Sequence, residues 1–211
     1  FDAFGNRRPM NSDNVTVSIG GDVGSVQAGT ASYSGRFSRR TAGTAQLVVR
    51  VNGQALPNSP LLNVRPGAVS AAATILAAHP SQAAGVTISD RVIRGPAGSQ
   101  FLFTLRPVDG VGNAYTNEVT TAVLGLLVTP ASRVTVVYAG DGVYNASVQL
   151  TRAGSYSTRA TVNGAPAGQA ESDGFTVLVR PGIASAQQSG AAGPVDAVAG
   201  SPALVNVTLR D

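Results

Sequence analysis

DGVYNASVQLTRAGSYSTRATVNG (Asp141–Gly164) alternates apolar and polar residues twice, on either side of the turn TRAG. Alternation with a period of two is typical of strands that bury one face. We expect a hairpin that lays one apolar face on a facing sheet, with Gly154 and Gly164 at its turns. Its eight inward positions are predicted to be Tyr144, Ala146, Val148, Leu150, Tyr156, Thr158, Ala160 and Val162. Both tyrosines are interpreted as core aromatic residues rather than ligand contacts.

Other stretches around this hairpin show the same pattern. SQFLFTLRPV places Phe101, Phe103 and Leu105 on one face, and DGVGN follows it as a turn. TAVLGLLVT is almost continuously apolar, which predicts a strand covered on both faces or bound by a partner along its edge. Further strands are predicted in SRVTVVYAG and in DGFTVLVR, and a first strand within AAATILAAHPSQAAGVTISD. About seven strands is the number in an immunoglobulin-like sandwich.

The composition of the 211 residues agrees with an all-β chain. Hydrophobic residues make up 43%, and 25 Gly and 12 Pro favour short strands joined by turns. All fifteen basic residues are Arg, and the net charge of +4 is mild. Nucleic acid is not an expected partner, because the arginines are scattered apart from GRFSRR at Arg36, Arg39 and Arg40. The chain has no cysteine, which excludes disulfides and thiolate metal sites.

The chain also repeats itself at a spacing of about 100 to 115 residues. TAGTAQLVVRVNG (Thr41–Gly53) recurs as RAGSYSTRATVNG (Arg152–Gly164), and LNVRPG at Leu62 recurs as VLVRPG at Val177. FDAFGN at the start of the chain recurs as VDGVGN, and AGSPALVNVTLRD at its end resembles AGSQFLFTLRPVD. Such recurrence predicts tandem domains. We expect residues 1–66 to form an incomplete repeat lacking its first strands, residues 67–181 a complete repeat, and residues 182–211 the start of a third.

The motifs DGVGN, DGVY, AGSY and ATVNGAP occur in that order in the second repeat. In this order the chain resembles filamin-type repeats, which are immunoglobulin-like β-sandwich domains. The resemblance implies a module of a larger multi-repeat protein that spaces and docks partners. Where such repeats bind partners, an extended peptide often adds to a sheet edge. The equivalent edge here is implied to be AVLGLLV, with Leu124, Leu126 and Val128 on one face and Gly125 leaving room for a close backbone approach.

Catalytic and metal-binding patterns are not found in the sequence. The single histidine, His79, precedes Pro80 in an Ala-rich stretch and is interpreted as a solvated linker residue. The eleven acidic residues are dispersed. Asp109, Asp141 and Asp173 are interpreted as turn residues, and the alternative is that they come together in space to bind calcium between sandwich domains. We therefore expect no enzyme activity, no metal and no cofactor.

The expected compartment is cytoplasmic, cytoskeletal or ciliary, with the extracellular side or cell surface as the alternative. No segment is apolar and long enough to span a membrane, and the first residues, FDAFGNRRPM, lack the order of a signal peptide, so no membrane insertion is expected. Sequons at Asn14, Asn145 and Asn206 would be glycosylation sites if the chain is secreted.

Two functions follow from the resemblance. The first is a structural scaffold segment in a cytoskeletal or ciliary protein, whose partners are other proteins and neighbouring repeats. The second is a cell-surface adhesion ectodomain built from the same repeats.

Overall fold

The computed structural model describes residues 13–29, 32–167, 174–193 and 204–211, which contain strands and no helix. The FDAFGN motif, the 168–173 segment with Asp173, and residues 194–203 lie outside the described residues. The chain divides into two compact units: residues 1–67 with 111–113 form unit 1, and residues 68–110 with 114–211 form unit 2.

The strands are numbered along the chain. Unit 1 contains β1 (Val15–Ile19), β2 (Asp22–Ala28), β3 (Tyr33–Arg36), β4 (Gly43–Val51), β5 (Gln54–Ala55) and β6 (Leu61–Val64). Unit 2 contains β7 (Ile75–Ala78), β8 (Thr87–Ser89), β9 (Val92–Pro96), β10 (Gln100–Arg106), β11 (Leu124–Thr129), β12 (Val134–Gly140), β13 (Val143–Gln149), β14 (Gly154–Val162), β15 (Ala165–Pro166), β16 (Phe175–Arg180), β17 (Gly190–Ala192) and β18 (Asn206–Thr208).

Unit 2 is a sandwich of two sheets. One sheet has the order β12-β13-β10-β7, and the other has the order β11-β14-β16-β9-β8. Every pairing in them is antiparallel except that of β9 with β16. The first part of the unit contributes to both sheets, since β7 pairs with β10 and β9 pairs with β16. This is the two-layer arrangement of an immunoglobulin-like domain, and the predicted fold class is confirmed.

The core of unit 2 is built from alternate residues of both sheets. All eight positions predicted in the opening stretch are buried, as are the inward residues predicted for β10 and β16. Phe103 and Phe175 meet edge to face across the core with ring centroids 5.8 Å apart. Alternation along each strand therefore identified the buried faces correctly.

The predicted hairpin is wrong, because β13 and β14 belong to different sheets. β13 pairs with β10 and β12, whereas β14 pairs with β11 and β16. Their inward faces therefore face each other across the core. The Tyr156 hydroxyl donates a hydrogen bond of 2.9 Å to the Arg152 carbonyl, which fixes the crossing between the sheets. A tyrosine at the start of this strand bonded back to the preceding corner is a hallmark of immunoglobulin-like domains.

The predicted linker around His79 is also part of the sandwich. His79 follows β7 directly, is half-buried, and its backbone N–H donates to the Leu102 carbonyl at 3.0 Å. The Gln82 side chain donates to that carbonyl at 2.6 Å and accepts from the Leu102 N–H at 3.1 Å. The Gln82 amide thus continues the pairing with β10 beyond the end of β7. The alternation of apolar and polar residues does not predict such a side-chain contact.

The recurring VNG segments occupy the same topological position in the two units. β1 pairs antiparallel with β4 in the same way as β11 pairs with β14. Asn52 and Asn163 both have a φ of 52°, and each is followed by a glycine with positive φ. Each asparagine donates its N–H at 2.7 Å to the carbonyl of the residue just before the neighbouring strand, which is Asn14 for Asn52 and Val123 for Asn163. Its Oδ1 accepts the N–H of that same residue at 2.8 to 2.9 Å. The recurrence in the sequence is therefore a recurrence of hydrogen bonds.

The pairing of β17 with β18 resembles the start of unit 2. The Ser70 N–H donates to the Val108 carbonyl at 2.8 Å, and the Ser185 N–H donates to the Arg210 carbonyl at 2.7 Å. The pairs lie at the corresponding places of the recurring segments, and β17 meets β18 antiparallel as β7 meets β10. The boundaries near residues 66 and 181, and a third repeat beginning at 182, stay predictions.

Tyr144 occupies a buried position with its hydroxyl satisfied. The hydroxyl accepts the Val119 N–H at 2.7 Å, and the residue is 8% exposed. Burial raises the pKa of the phenol above its ordinary value of about 10, and Glu118 and Tyr138 raise it further against the lowering effect of the Val119 hydrogen bond.

We predict that this tyrosine makes unit 2 less stable at alkaline pH. Because its pKa is higher in the folded chain, its contribution is complete below about pH 10 and is lost as the pH rises through the folded pKa. Tyr144→Phe removes this contribution, so the free energy of unfolding will fall less steeply with pH above 10. Urea unfolding at a series of alkaline pH values measures the slope, and an unchanged slope in the variant contradicts the assignment.

Candidate functional site

The candidate docking edge predicted from the sequence lies at the border of a sheet. β11 is the first strand of the sheet β11-β14-β16-β9-β8 and pairs only with β14. The register sets Leu124 opposite Val162 and Val128 opposite Thr158. The other border of β11 has no hydrogen-bonded strand among the described residues. Partner binding at this border stays a prediction.

The side chains of β11 alternate between core and solvent. Leu124, Leu126 and Val128 are 9%, 7% and 3% exposed and belong to the core of unit 2. Leu127 is 46% exposed, and Val123 just before the strand is 73% exposed. The apolar run is thus a half-covered edge strand and is not covered on both faces. The three predicted residues face the core with their side chains, so any partner contact through them involves the backbone.

The backbone orientation of β11 follows from the hydrogen bonds between Val123, just before the strand, and Asn163. The Val123 N–H donates to Asn163 Oδ1 at 2.8 Å, and the Val123 carbonyl accepts the Asn163 N–H at 2.7 Å. In an antiparallel pair, successive residues direct these groups alternately toward and away from the neighbouring strand. The N–H and C=O groups of Leu124, Leu126 and Val128 therefore point to the open border. Three residues with buried side chains present the available hydrogen-bonding groups.

Gly125 lies opposite Thr161 of β14, and its role in a close backbone approach by a partner stays a prediction. A Cβ atom at this position would come within 2.6 Å of Thr161 Oγ1 on β14. The room beside the glycine is therefore taken by the neighbouring threonine. Gly125 permits close packing inside the sheet.

Protective features usual for edge strands are not found on β11. Natural edge strands commonly carry charged residues, proline or a bulge, which prevent pairing with other chains. β11 has the sequence LGLLVT, without charge or proline, and its pairing with β14 is regular over six positions. The strand therefore keeps an uncharged border with free hydrogen-bonding capacity.

The corresponding border in unit 1 is occupied. β1 pairs with β4 on one side and antiparallel with β2 on the other, with Ile19 opposite Asp22 and Val17 opposite Gly24. Gly20 and Gly21 form the two-residue turn, with φ values of 55° and 96°. The equivalent of β11 thus accepts an antiparallel strand within the same chain.

The three sequon asparagines are all exposed. Asn14 precedes β1, Asn206 begins β18, and Asn145 lies in the middle of β13 opposite Thr104 and Val137. The outward orientation expected for Asn145 agrees with its exposure. Glycosylation itself stays a prediction.

Among the described residues, no group of three or more His, Asp or Glu side chains is placed to hold a metal ion. Asp109 is buried at 2% exposure, whereas Asp141 is exposed at a turn with φ of 48°. A cavity of about 440 Å³ opens between residues 130–132 and 149–156, and its lining contains no His, Asp, Glu or Cys. No helix in the described residues has the length and apolarity needed to cross a bilayer.

Comparison with known proteins gives structural neighbours but no family. No protein-family model matches the sequence, and no curated protein matches it. The adhesin FdeC of Escherichia coli is similar to 97% of this chain with a TM-score of 0.56 and 18% identity. InvD of Yersinia pseudotuberculosis is similar to 96% with a TM-score of 0.53 and 22% identity. Invasin, a bacterial integrin-binding protein, is similar to 85% with a TM-score of 0.52 and 17% identity.

These likenesses concern the fold. The chain spans 63% of the FdeC structure, 61% of InvD and 34% of invasin. The fold is an immunoglobulin-like β-sandwich, as the resemblance to filamin-type repeats implied. Two of these neighbours are named as an adhesin and an integrin-binding protein.

We predict that neighbouring positions of β11 differ sharply in their effect on stability. Leu126→Ala leaves a cavity in the core and is expected to lower the free energy of unfolding by about 2 to 4 kcal/mol. Leu127→Ala, whose side chain faces solvent, is expected to change it by less than about 0.5 kcal/mol. Urea unfolding of both variants measures the difference, and equal effects contradict the register of β11 on β14.

Proposed function

We propose that this chain is a non-enzymatic segment of a cell-surface adhesion protein, in which β-sandwich repeats serve as spacing and docking modules. The observation that carries the proposal is the repeated strand-and-asparagine arrangement of β1–β4 and β11–β14. A module that recurs with the same hydrogen bonds suits a protein whose length is set by the number of repeats. The likeness to FdeC and invasin supports the extracellular setting.

The core of unit 2 supports independent folding of such a module. Among the residues of unit 2 that the structure describes, twenty buried hydrophobic residues form one cluster that draws on both sheets. Burial of each large apolar side chain contributes about 1.5 to 3 kcal/mol, so the cluster offsets much of the chain entropy lost on folding.

We predict that the chain is exposed on the outside of the cells that produce it. An antibody raised against the purified chain will label intact cells, and external protease will abolish the labelling. A cytoplasmic protein probed in the same cells is the control for membrane integrity. Labelling that requires permeabilised cells would refute the extracellular setting and favour a cytoskeletal or ciliary scaffold.

The docking part of the proposal concerns the open border of β11. We infer that it accepts an extended strand running antiparallel, as β1 accepts β2. Backbone groups of Leu124, Leu126 and Val128 would supply the hydrogen bonds. Side chains of the added strand would pack beside Leu127, which is the exposed apolar residue at the middle of the strand.

We predict a distinct pattern of amide behaviour along β11. In the free chain, the N–H groups of Leu124, Leu126 and Val128 will exchange with solvent faster than those of Gly125 and Leu127, because only the latter are bonded to β14. A synthetic peptide with the β2 sequence, DVGSVQA, will shift the amide resonances of Leu124, Leu126 and Val128 in the ¹⁵N-labelled chain.

Leu127→Lys tests the added strand without disturbing the core. It is expected to weaken peptide binding about fivefold, corresponding to one lost apolar contact. Val137→Lys is the matched control, since Val137 is 58% exposed on the edge strand of the other sheet. Peptide-induced shifts that are confined to other strands, or equal weakening by both variants, would exclude strand addition at β11.

A further inference from the structure

The formal charge of the chain is distributed unevenly along the sequence. Residues 1–67 contain seven Arg and three acidic residues, whereas residues 68–211 contain eight of each. The whole net charge of +4 therefore lies in the first segment. A basic surface of this kind attracts anionic partners.

The densest part of this charge lies between β3 and β4. Arg36 ends β3, and Arg39 and Arg40 follow in the connection to β4. Arg36 and Arg40 are exposed. Arg39 is half-buried, and its Nη1 is buried without a hydrogen-bond partner. Among the described residues, none of these three guanidinium groups forms an ion pair with a carboxylate. Their charge is therefore not neutralised within the part of unit 1 that the structure describes.

Arg39 is held in a defined position. Its Nε donates to the Thr41 carbonyl at 2.8 Å. Its guanidinium group lies against Gly20, at a point where any side chain on residue 20 would overlap Nη1. Gly20 also has a φ of 55°, which a glycine adopts at no cost. The β1–β2 turn thus packs beneath one arginine of the cluster and limits its motion.

We propose that this cluster binds a sulfated polysaccharide, with Arg36 and Arg40 as the exposed sulfate ligands and Arg39 adding its positive charge. The guanidinium fork matches oxyanions such as sulfate with two parallel hydrogen bonds. Three arginines within five residues suit a short run of closely spaced sulfate groups, and basic segments of this length are found in heparin-binding patches. Adsorption to an anionic membrane usually takes about four to eight basic residues in one cluster, and duplex nucleic acid about six to ten phosphate contacts.

The choice of a polysaccharide, among anions, rests on the extracellular setting proposed above. Binding by the purified chain is nevertheless measured independently of where the protein resides. A chain that binds heparin but is not found at the cell surface would refute the setting alone, and a surface protein that does not bind heparin would refute the present proposal alone.

The test measures binding of the complete chain to heparin by calorimetry and by salt elution from immobilised heparin. The variant Arg36→Gln/Arg39→Gln/Arg40→Gln is compared with Arg106→Gln/Arg133→Gln/Arg152→Gln, whose arginines are exposed in unit 2. Both variants have the same net charge. The cluster variant is expected to lose about 100-fold or more in affinity, and the control to lose less than about threefold. The slope of log K against the logarithm of the salt concentration is expected to become less negative by about two to three, in the cluster variant alone.

A second variant guards against an effect on folding. Arg36→Gln/Arg40→Gln keeps Arg39 on Gly20 and is expected to lose most of the affinity that the triple variant loses, with an unchanged unfolding transition. Equal losses in the two triple variants would reduce the effect to net charge and overturn the proposal. Absence of heparin binding at about 0.15 M salt, or equal affinity for duplex DNA or for phosphatidylserine vesicles, would overturn it as well.

Discussion

Closure of the two sheets of unit 2 over the inward side chains of β13 and β14 is the constraint on which the rest of the structure depends. Tyr144, Ala146 and Val148 on one strand, and Tyr156 and Ala160 on the other, are buried from opposite sides. Each strand needs the other sheet to cover its apolar face, so neither sheet is stable alone. The corner between them must cross the sandwich, and the Tyr156 hydroxyl bonded to the Arg152 carbonyl holds this crossing. The free borders of both sheets exist because closure is face to face and not around a barrel.

This constraint also separates what the sequence predicts from what it does not. A period of two identifies which residues face inward, since successive side chains point to opposite sides of a strand. It carries no information on the neighbouring strand, so the TRAG corner has the same pattern whether it closes a hairpin or crosses between sheets. Tyr156 is the signal that distinguishes a hairpin from a crossing between sheets, because its hydroxyl reaches back four residues to the corner carbonyl of Arg152. Tyr156 is therefore both a core residue and the anchor of the corner.

The edge position of β11 was predictable in part, and the reason lies in how the strand is bonded. Its apolar run indicated an unusual strand, but composition does not distinguish burial on two faces from an uncharged edge. The asparagine at position 163 settles the orientation, since its two bonds to Val123 determine which backbone groups of β11 turn outward. The same asparagine bonding recurs at Asn52 in unit 1. A short recurring motif at the strand end thus fixes the hydrogen-bonding pattern of the neighbouring edge, which no residue of the edge itself reveals.

The apolar core and the excess positive charge lie in different segments of this chain. Unit 2 combines a large apolar core with equal numbers of basic and acidic residues in its sequence segment, so the strand addition proposed at β11 is expected to be weakly sensitive to salt. The segment of unit 1 carries the excess positive charge, whose attraction for an anionic surface extends over about 8 Å at physiological ionic strength. Because domains of one fold can keep the same backbone bonds while their exposed residues change, charge is free to differ between modules. In the repeat protein proposed above, each module would then offer distinct contacts without a change of architecture.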